Sequence, residues 1–127
     1  MVLIGKRIVK GSFLEGAPVS LEAEWARPSG VLWQQVDFSA CTLRIFDNSA
    51  GSQVASPARS VSATLTNEPM SWELSSTGNN FHDMVLTSDV QAEGGHTYQF
   101  EYGYTRSDGF GIEFLVFQAR CDGIGSA

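Results

Sequence analysis

The clearest pattern along this chain is an alternation of aromatic and polar residues in its last third. Every second residue from Tyr98 to Tyr104 is aromatic, and the residues between them are polar or glycine. Successive side chains leave a strand on opposite faces, so a period of two predicts a strand with one buried face. Asp108-Gly109 then precedes a second apolar run, Ile112–Ala119, and Asp-Gly between two such runs favours a tight hairpin.

Shorter alternations recur upstream of this hairpin. Apolar residues occupy alternate positions in Val19–Trp25, Cys41–Ile45, Val61–Leu65 and Ser71–Leu74, and Pro69 is expected to end the third of these strands. No long window keeps the spacing of an amphipathic helix. The pattern therefore predicts an all-β protein, an antiparallel immunoglobulin-like β-sandwich of about seven or eight short strands, with a jelly roll or a small barrel as alternatives.

The domain organisation follows from length. A chain of 127 residues is expected to form a single sandwich domain spanning 1–127. Within it, residues 1–10 are a possible N-terminal arm, in which 6–10 could form a short edge strand, and residues 123–127 are expected to fray.

Charge and composition argue against a nucleic-acid-binding, secreted or membrane-spanning protein. Eight basic residues face fourteen acidic ones, for a net charge of -6, so nucleic-acid binding is not expected. The first residues place their apolar side chains before Lys6 and Arg7, the reverse of a signal peptide, and no run of residues is long and apolar enough for a membrane span. We expect synthesis in a cytoplasm and no membrane partner.

Residues that could carry chemistry are few and scattered. Cys41 and Cys121 are far apart, without a CxxC spacing, and are read either as two reduced buried thiols or as one disulfide. His82 and His96 lack the close spacing of a metal site. The sequence therefore predicts no metal, no cofactor and no catalytic residue. An enzyme would need one of these histidines in a cleft with two carboxylates.

The three tryptophans admit two readings. Trp25 and Trp72 are in phase with inward-facing apolar rows, which predicts core positions. Trp33 stands among polar residues and is the candidate for a platform on which a sugar ring stacks. A carbohydrate-binding sandwich is therefore an alternative function.

The last apolar run suggests an interface between subunits. Its side chains are apolar on both faces, and a strand of that kind is covered on both faces. The second cover could be another part of the chain or a neighbouring subunit. Counting one residue of the possible arm, the candidate interface residues are Ile8, Phe114, Leu115, Val116 and Phe117.

The layout as a whole resembles a group of small bacteriophage virion proteins with an immunoglobulin-like sandwich, of which the N-terminal domain of phage baseplate upper proteins is one example. The residues that carry the resemblance are Lys10-Gly11 before an early strand, Val36–Ala40 at a corner, and Ser107–Gly109 in the final hairpin. The resemblance spans about Ile8 to Cys121.

The resemblance implies a structural role in a virion. We expect a non-enzymatic protein that binds capsid or tail subunits, acts as a homo-oligomer or as part of a larger assembly, and is located in the virion after synthesis in the host cytoplasm. The long plain loop from Gly51 to Ser60 and the lack of a fibre-like extension favour head decoration (a cement protein) over a tail or baseplate component.

Overall fold

The computed structural model describes residues 6–70 and 79–123. The described elements, in chain order, are β1 (Lys6–Leu14), β2 (Val19–Ala23), a 3-10 turn (Gln35–Asp37), β3 (Phe38–Asp47), β4 (Ser52–Ala55), α1 (Val61–Thr64), β5 (Leu65–Met70), β6 (Asn79–Val85), β7 (Thr97–Arg106) and β8 (Ile112–Asp122).

The strands form two sheets, which confirms the predicted all-β sandwich. One sheet has five strands in the order β1-β8-β7-β3-β4, and the other has three in the order β2-β6-β5. All the pairings between these strands are antiparallel except that of β1 with β8, which is parallel. The aromatic alternation forms β7, at the centre of the larger sheet.

The core lies between the two sheets and is centred on the aromatic face of β7. All four aromatic side chains from Tyr98 to Tyr104 are buried, as their alternation predicts. They pack between the inward rows of the neighbouring strands, for example Leu43 on β3 and Phe81 on β6. The ring of Phe81 meets that of Tyr102 edge-on, with centroids 4.8 Å apart. One aromatic row therefore supplies the centre of the core.

Three features differ from the sequence prediction. The segment from Gly51 to Ser60, expected to be a long plain loop, contains β4 (Ser52–Ala55), which pairs with β3. Residues 61–64 form a single helical turn rather than a strand, because the Ser60 hydroxyl accepts a hydrogen bond from the Ala63 amide and so caps the turn. β5 then continues through Pro69 to Met70. Proline is tolerated there because β5 is an edge strand, where a backbone N–H can be dispensed with. The strand predicted at Ser71–Leu74, with Trp72, lies outside the described residues.

The ends of the described chain bear on the possible arm. Residues 6–10 belong to edge strand β1, as expected, and the strand continues to Leu14, while residues 1–5 and 124–127 lie outside the described part. Across residues 6–70 and 79–123, no helix has the length and apolarity needed to cross a lipid bilayer.

Candidate protein-binding surface and charged clusters

A buried asparagine holds together one end of the sandwich. Asn80, at the start of β6, is fully buried, and its Oδ1 accepts a hydrogen bond from the Trp25 amide at 2.6 Å. Its Nδ2 donates to the carbonyl oxygens of Trp25, at 2.8 Å, and of Trp33, at 3.1 Å. The side chain thus adds to the backbone hydrogen bonds within the short hairpin that carries both tryptophans and attaches that hairpin to β6.

Trp33 is a core residue, which corrects its assignment as a sugar platform. Only 3% of it is exposed, and its ring lies 5.0 Å from that of Phe38. The guanidinium carbons of Arg27 and Arg106 lie 4.2 and 5.5 Å from its ring centre. Because these neighbours cover the ring, it cannot stack on a sugar. The polar sequence around Trp33 reflects the hairpin and turn that surround it rather than exposure of the ring.

Three loops meet at this end: the hairpin turn after Arg27, the 3-10 turn, and the turn between β7 and β8. Asp37 bonds them to one another. Its Oδ1 accepts a hydrogen bond from Arg27 at 2.8 Å, and its Oδ2 accepts one from the Gln34 amide at 2.9 Å. Its carbonyl accepts a bond from the Ser107 amide in the final hairpin turn, and the Ser107 hydroxyl donates to the Val36 carbonyl at 3.1 Å. These bonds hold the loops in one arrangement.

Large apolar side chains are exposed on these fastened loops. Val31, Val36 and Phe110, one from each loop, are 60%, 76% and 60% exposed, and we call them the loop patch. Sequence reasoning missed them because loop residues have no periodicity that indicates exposure. The available signal was Phe110 between two glycines, where a bulky aromatic has no role in making the turn.

The charges next to the loop patch are neutralised within the chain. Arg106 forms ion pairs with Asp108 at 2.5 Å and with Glu113 at 3.4 Å, and its guanidinium carbon lies 5.7 Å from the Phe110 ring centre. The hydrogen bond from Arg106 holds the pKa of Asp108 below its ordinary value. Both cations described next to the loop patch, Arg27 and Arg106, are therefore paired with carboxylates of this chain.

The residues predicted to form an interface on β8 are mostly covered within the chain. Leu115 and Phe117 belong to the core, and Val116, on the opposite face, is also fully buried. These three offer no surface to a partner, which corrects their assignment. The cover that the two-faced pattern requires comes from this chain itself.

Two interface candidates remain untested. Phe114 is half-buried on the outer face, where its ring lies against Gly103: a Cβ at Gly103 would stand 3.2 Å from its Cε1. The backbone of Ile8 pairs with that of Val116, and the side chain of Ile8 lies outside the described part of the structure.

A buried charged cluster ties the loop before α1 to the smaller sheet. Nε of Arg59 donates to Oδ2 of Asp83 at 2.7 Å, and its Nη2 donates to Oδ2 of Asp89 at 2.9 Å. The Tyr102 hydroxyl donates to the same Asp83 oxygen at 2.5 Å. Burial alone lowers the pKa of Arg59, but the bonds to both carboxylates outweigh it and raise that pKa above its ordinary value. Every charge here has a partner within the cluster.

A second charged cluster lies at the opposite end of the sandwich from the loop patch. Nδ1 of His96 lies 2.7 Å from Oδ2 of Asp47, and its Nε2 lies 3.3 Å from Oε2 of Glu93. The other Asp47 oxygen accepts bonds from the Ser49 and Ala50 amides. Asp47 thereby caps the turn after β3, and the imidazole links that turn to the start of β7.

The geometry of this second cluster suits a protonated histidine. The hydrogen bond to Asp47 raises the pKa of His96 above its ordinary value of 6.5, and the same bond lowers the pKa of Asp47. The three side chains are close enough to be considered as metal ligands. However, the two ring nitrogens face different carboxylates, whereas a metal would need one nitrogen and both carboxylates directed at a single point. His96 thus meets two carboxylates, one part of what the enzyme alternative requires, but Glu93 is 71% exposed, and the arrangement is that of a surface bridge between two acids.

Both cysteines are free and buried, in agreement with the reading as two thiols. Burial raises the pKa of each thiol, so both stay protonated at neutral pH. A protonated buried thiol is a poor nucleophile and a poor metal ligand.

Comparison with known proteins adds no family: no protein-family model matches the chain, and no curated protein or solved structure is significantly similar to it.

Proposed function

We propose that this chain is a non-enzymatic structural protein of a bacteriophage virion that binds another virion subunit through the loop patch. Within the particle we propose head decoration, with a tail or baseplate position as the alternative. The virion assignment rests on the resemblance of the sequence elements. The binding surface rests on the exposure of Val31, Val36 and Phe110.

The loop patch supports binding because its side chains gain free energy when covered. Burial of apolar surface contributes about 25 cal/mol per Å², and an exposed group of large apolar side chains is typical of a protein interaction site. The hydrogen bonds of Asp37 and Ser107 hold the loops in place before binding. A preorganised surface loses less conformational entropy when it binds.

The partner is expected to present apolar surface rather than a charge. Arg27 and Arg106 are already paired with Asp37, Asp108 and Glu113. An anionic partner would have to displace these carboxylates, whereas an apolar side chain can pack beside Phe110 without breaking an ion pair. Protein subunits of a particle offer such surfaces.

Particles of the phage whose genome encodes the chain test this proposal. Heads and tails are separated on a density gradient and analysed by mass spectrometry, and purified protein is added back to particles that lack it. We expect the chain on heads and saturable rebinding. Val36→Ser/Phe110→Ser should weaken rebinding by roughly tenfold or more, since each side chain contributes about 1.5–3 kcal/mol when buried.

Val54→Ser is the matched control, because Val54 is an exposed valine on β4, away from the loop patch. It should rebind like the wild type. A chain missing from the particles would refute the virion role. Equal rebinding by the loop-patch variant would refute the binding surface.

A further inference from the structure

The first strand is attached to the fold in an unusual way. β1 pairs in parallel with β8, over nine residue pairs from Lys6↔Phe114 to Leu14↔Asp122. Its successor β2 lies in the other sheet, so β1 forms no hairpin with the strand that follows it. Removing β1 from the edge of the larger sheet would leave every other strand pairing intact.

The described side chains of β1 add little to the core. Lys10, Gly11, Ser12 and Leu14 are exposed, and Phe13 is half-buried. The Phe13 ring meets two core rings of β7 at centroid distances of 6.2 Å each. Over Lys10–Leu14, the part of β1 whose side chains the structure describes, detachment therefore costs mainly backbone hydrogen bonds and this one ring, and an identical strand would restore both.

The link from β1 to β2 is short and bent. It consists of residues 15–18, in which the Ala17 amide donates to the Leu14 carbonyl at 3.1 Å. Gly16 has a φ of +78°, which a residue with a Cβ adopts only with strain. Pro18 restricts Ala17 to extended conformations. A link this short loses only one turn when it opens, and Pro18 already favours an extended connection, so β1 can be exchanged with another molecule at low cost.

We propose that β1 is exchanged between copies of this chain: Lys6–Leu14 of each copy pairs with β8 of the other, and the link at Gly16 opens into an extended connection. When β1 leaves the edge of the larger sheet, β1 of the second copy takes its place and pairs with β8 in the same register. This proposal is independent of the virion role, since exchange makes a homo-oligomer whatever its other partners are.

Gly16→Val tests the hinge. Valine is strained at a positive φ in the closed monomer but fits an extended link, so the variant should raise the dimer association constant by roughly tenfold or more. The matched control is Gly51→Val: Gly51 has a φ of +72° in the turn between β3 and β4, and, as at Gly16, no atom lies within 4 Å of an added Cβ. It should lose stability without dimerising. Light scattering after size exclusion measures both.

Cross-linking tests which strand is exchanged. Ser12 and Arg120 are register partners and both are exposed, so Ser12→Cys in one copy and Arg120→Cys in another are joined by a short bis-maleimide only if β1 has crossed over. The two variants are mixed, unfolded and refolded at high concentration, and a cross-linked dimer is expected. Ser52→Cys on β4, the opposite edge strand, replaces Arg120→Cys in the control and should give none.

This refolding experiment uses the native hinge, so it decides the proposal even if Gly16→Val does not fold. Refolded chains that give no Ser12–Arg120 cross-link would overturn the exchange. So would a Gly16→Val protein that folds and stays monomeric under the conditions used for the wild type.

Discussion

Two charged clusters in this molecule share one plan, a cation between two carboxylates, and differ in burial. The buried cluster consists of Arg59, Asp83 and Asp89, and the surface cluster consists of His96, Asp47 and Glu93. The Arg59 side chain is 12% exposed, whereas that of His96 is 32% exposed and that of Glu93 is 71% exposed.

The comparison teaches that surroundings, rather than the number of ion pairs, decide what each cluster does. A desolvated charge that loses its partner is costly, so the buried cluster fixes the packing of α1 against the smaller sheet. A solvated pair contributes little, but a histidine in it changes charge near neutral pH. The charge of the surface cluster therefore changes with pH near neutrality, whereas that of the buried cluster does not.

Removing the buried cation should give the largest effect. Arg59→Met leaves the carboxylates of Asp83 and Asp89 without their cation, and we expect a loss of about 3–5 kcal/mol in the free energy of unfolding. Urea denaturation measures it. The control is Arg44→Met, because Arg44 is 45% exposed in its pair with Glu101 and should lose at most about 1 kcal/mol. Similar losses in the two variants would show that burial does not distinguish these pairs.

Removing a tyrosine hydroxyl that is hydrogen-bonded to one residue of each cluster should give a smaller contrast. Tyr102→Phe deletes the donor to the Asp83 carboxylate and should cost about 1.5–3 kcal/mol, because a hydrogen bond to a charged group is lost. Tyr98→Phe deletes only the acceptor of the Glu93 amide, at 2.7 Å, and should cost about 0.5–1.5 kcal/mol. Both losses are read from urea midpoints. A costlier change at Tyr98 would reverse the ranking of the clusters.

The smallest effect should appear as a dependence on pH. The raised pKa of His96 means that its contribution to stability is full below the ordinary value of 6.5 and is lost as pH rises through the folded value. The lowered pKa of Asp47 means that its contribution is present above 3.8 and is lost as pH falls through the folded value. Stability from this cluster should therefore be greatest between these limits.

His96→Gln should remove the loss of stability that the wild type shows as pH rises above the pKa of His96. Urea midpoints at about pH 5 and about pH 9, on either side of the imidazole titration, give the measurement. Glu93→Gln is the control: it keeps the contact with Asp47, the largest cause of the shift, and should retain most of the slope. If the urea midpoint of the wild type is no lower at about pH 9 than at about pH 5, the result would argue against a protonated bridge.

Much of the fold could be predicted because strand periodicity is local. The inward row from Tyr98 to Tyr104 and the paired row at Leu43 and Ile45 are buried as their alternation indicates. The strand prediction failed at residues 61–64, where the capping bond to Ser60 outweighed the alternation. It also failed at Pro69, because an edge strand accommodates a proline that a central strand would exclude.

The binding surface was far less predictable. Trp33 looked exposed because its neighbours are polar, yet Asn80, distant in sequence, holds its hairpin against the core. Leu115 and Phe117 suggested an external partner, yet the smaller sheet covers them. In each case the burial of a side chain depends on which distant segments pack against it.

The amino-acid sequence by itself determined the β class, the inward face of each long strand and the position of the final hairpin, because side-chain alternation and turn chemistry act over a few residues. Only the tertiary structure decided that β1 would join β8 in parallel, that Arg59 would meet its two carboxylates, and that three loops bonded to one another would each expose an apolar side chain. These are contacts between segments far apart in the chain, and no local pattern encodes which of the possible contacts will form.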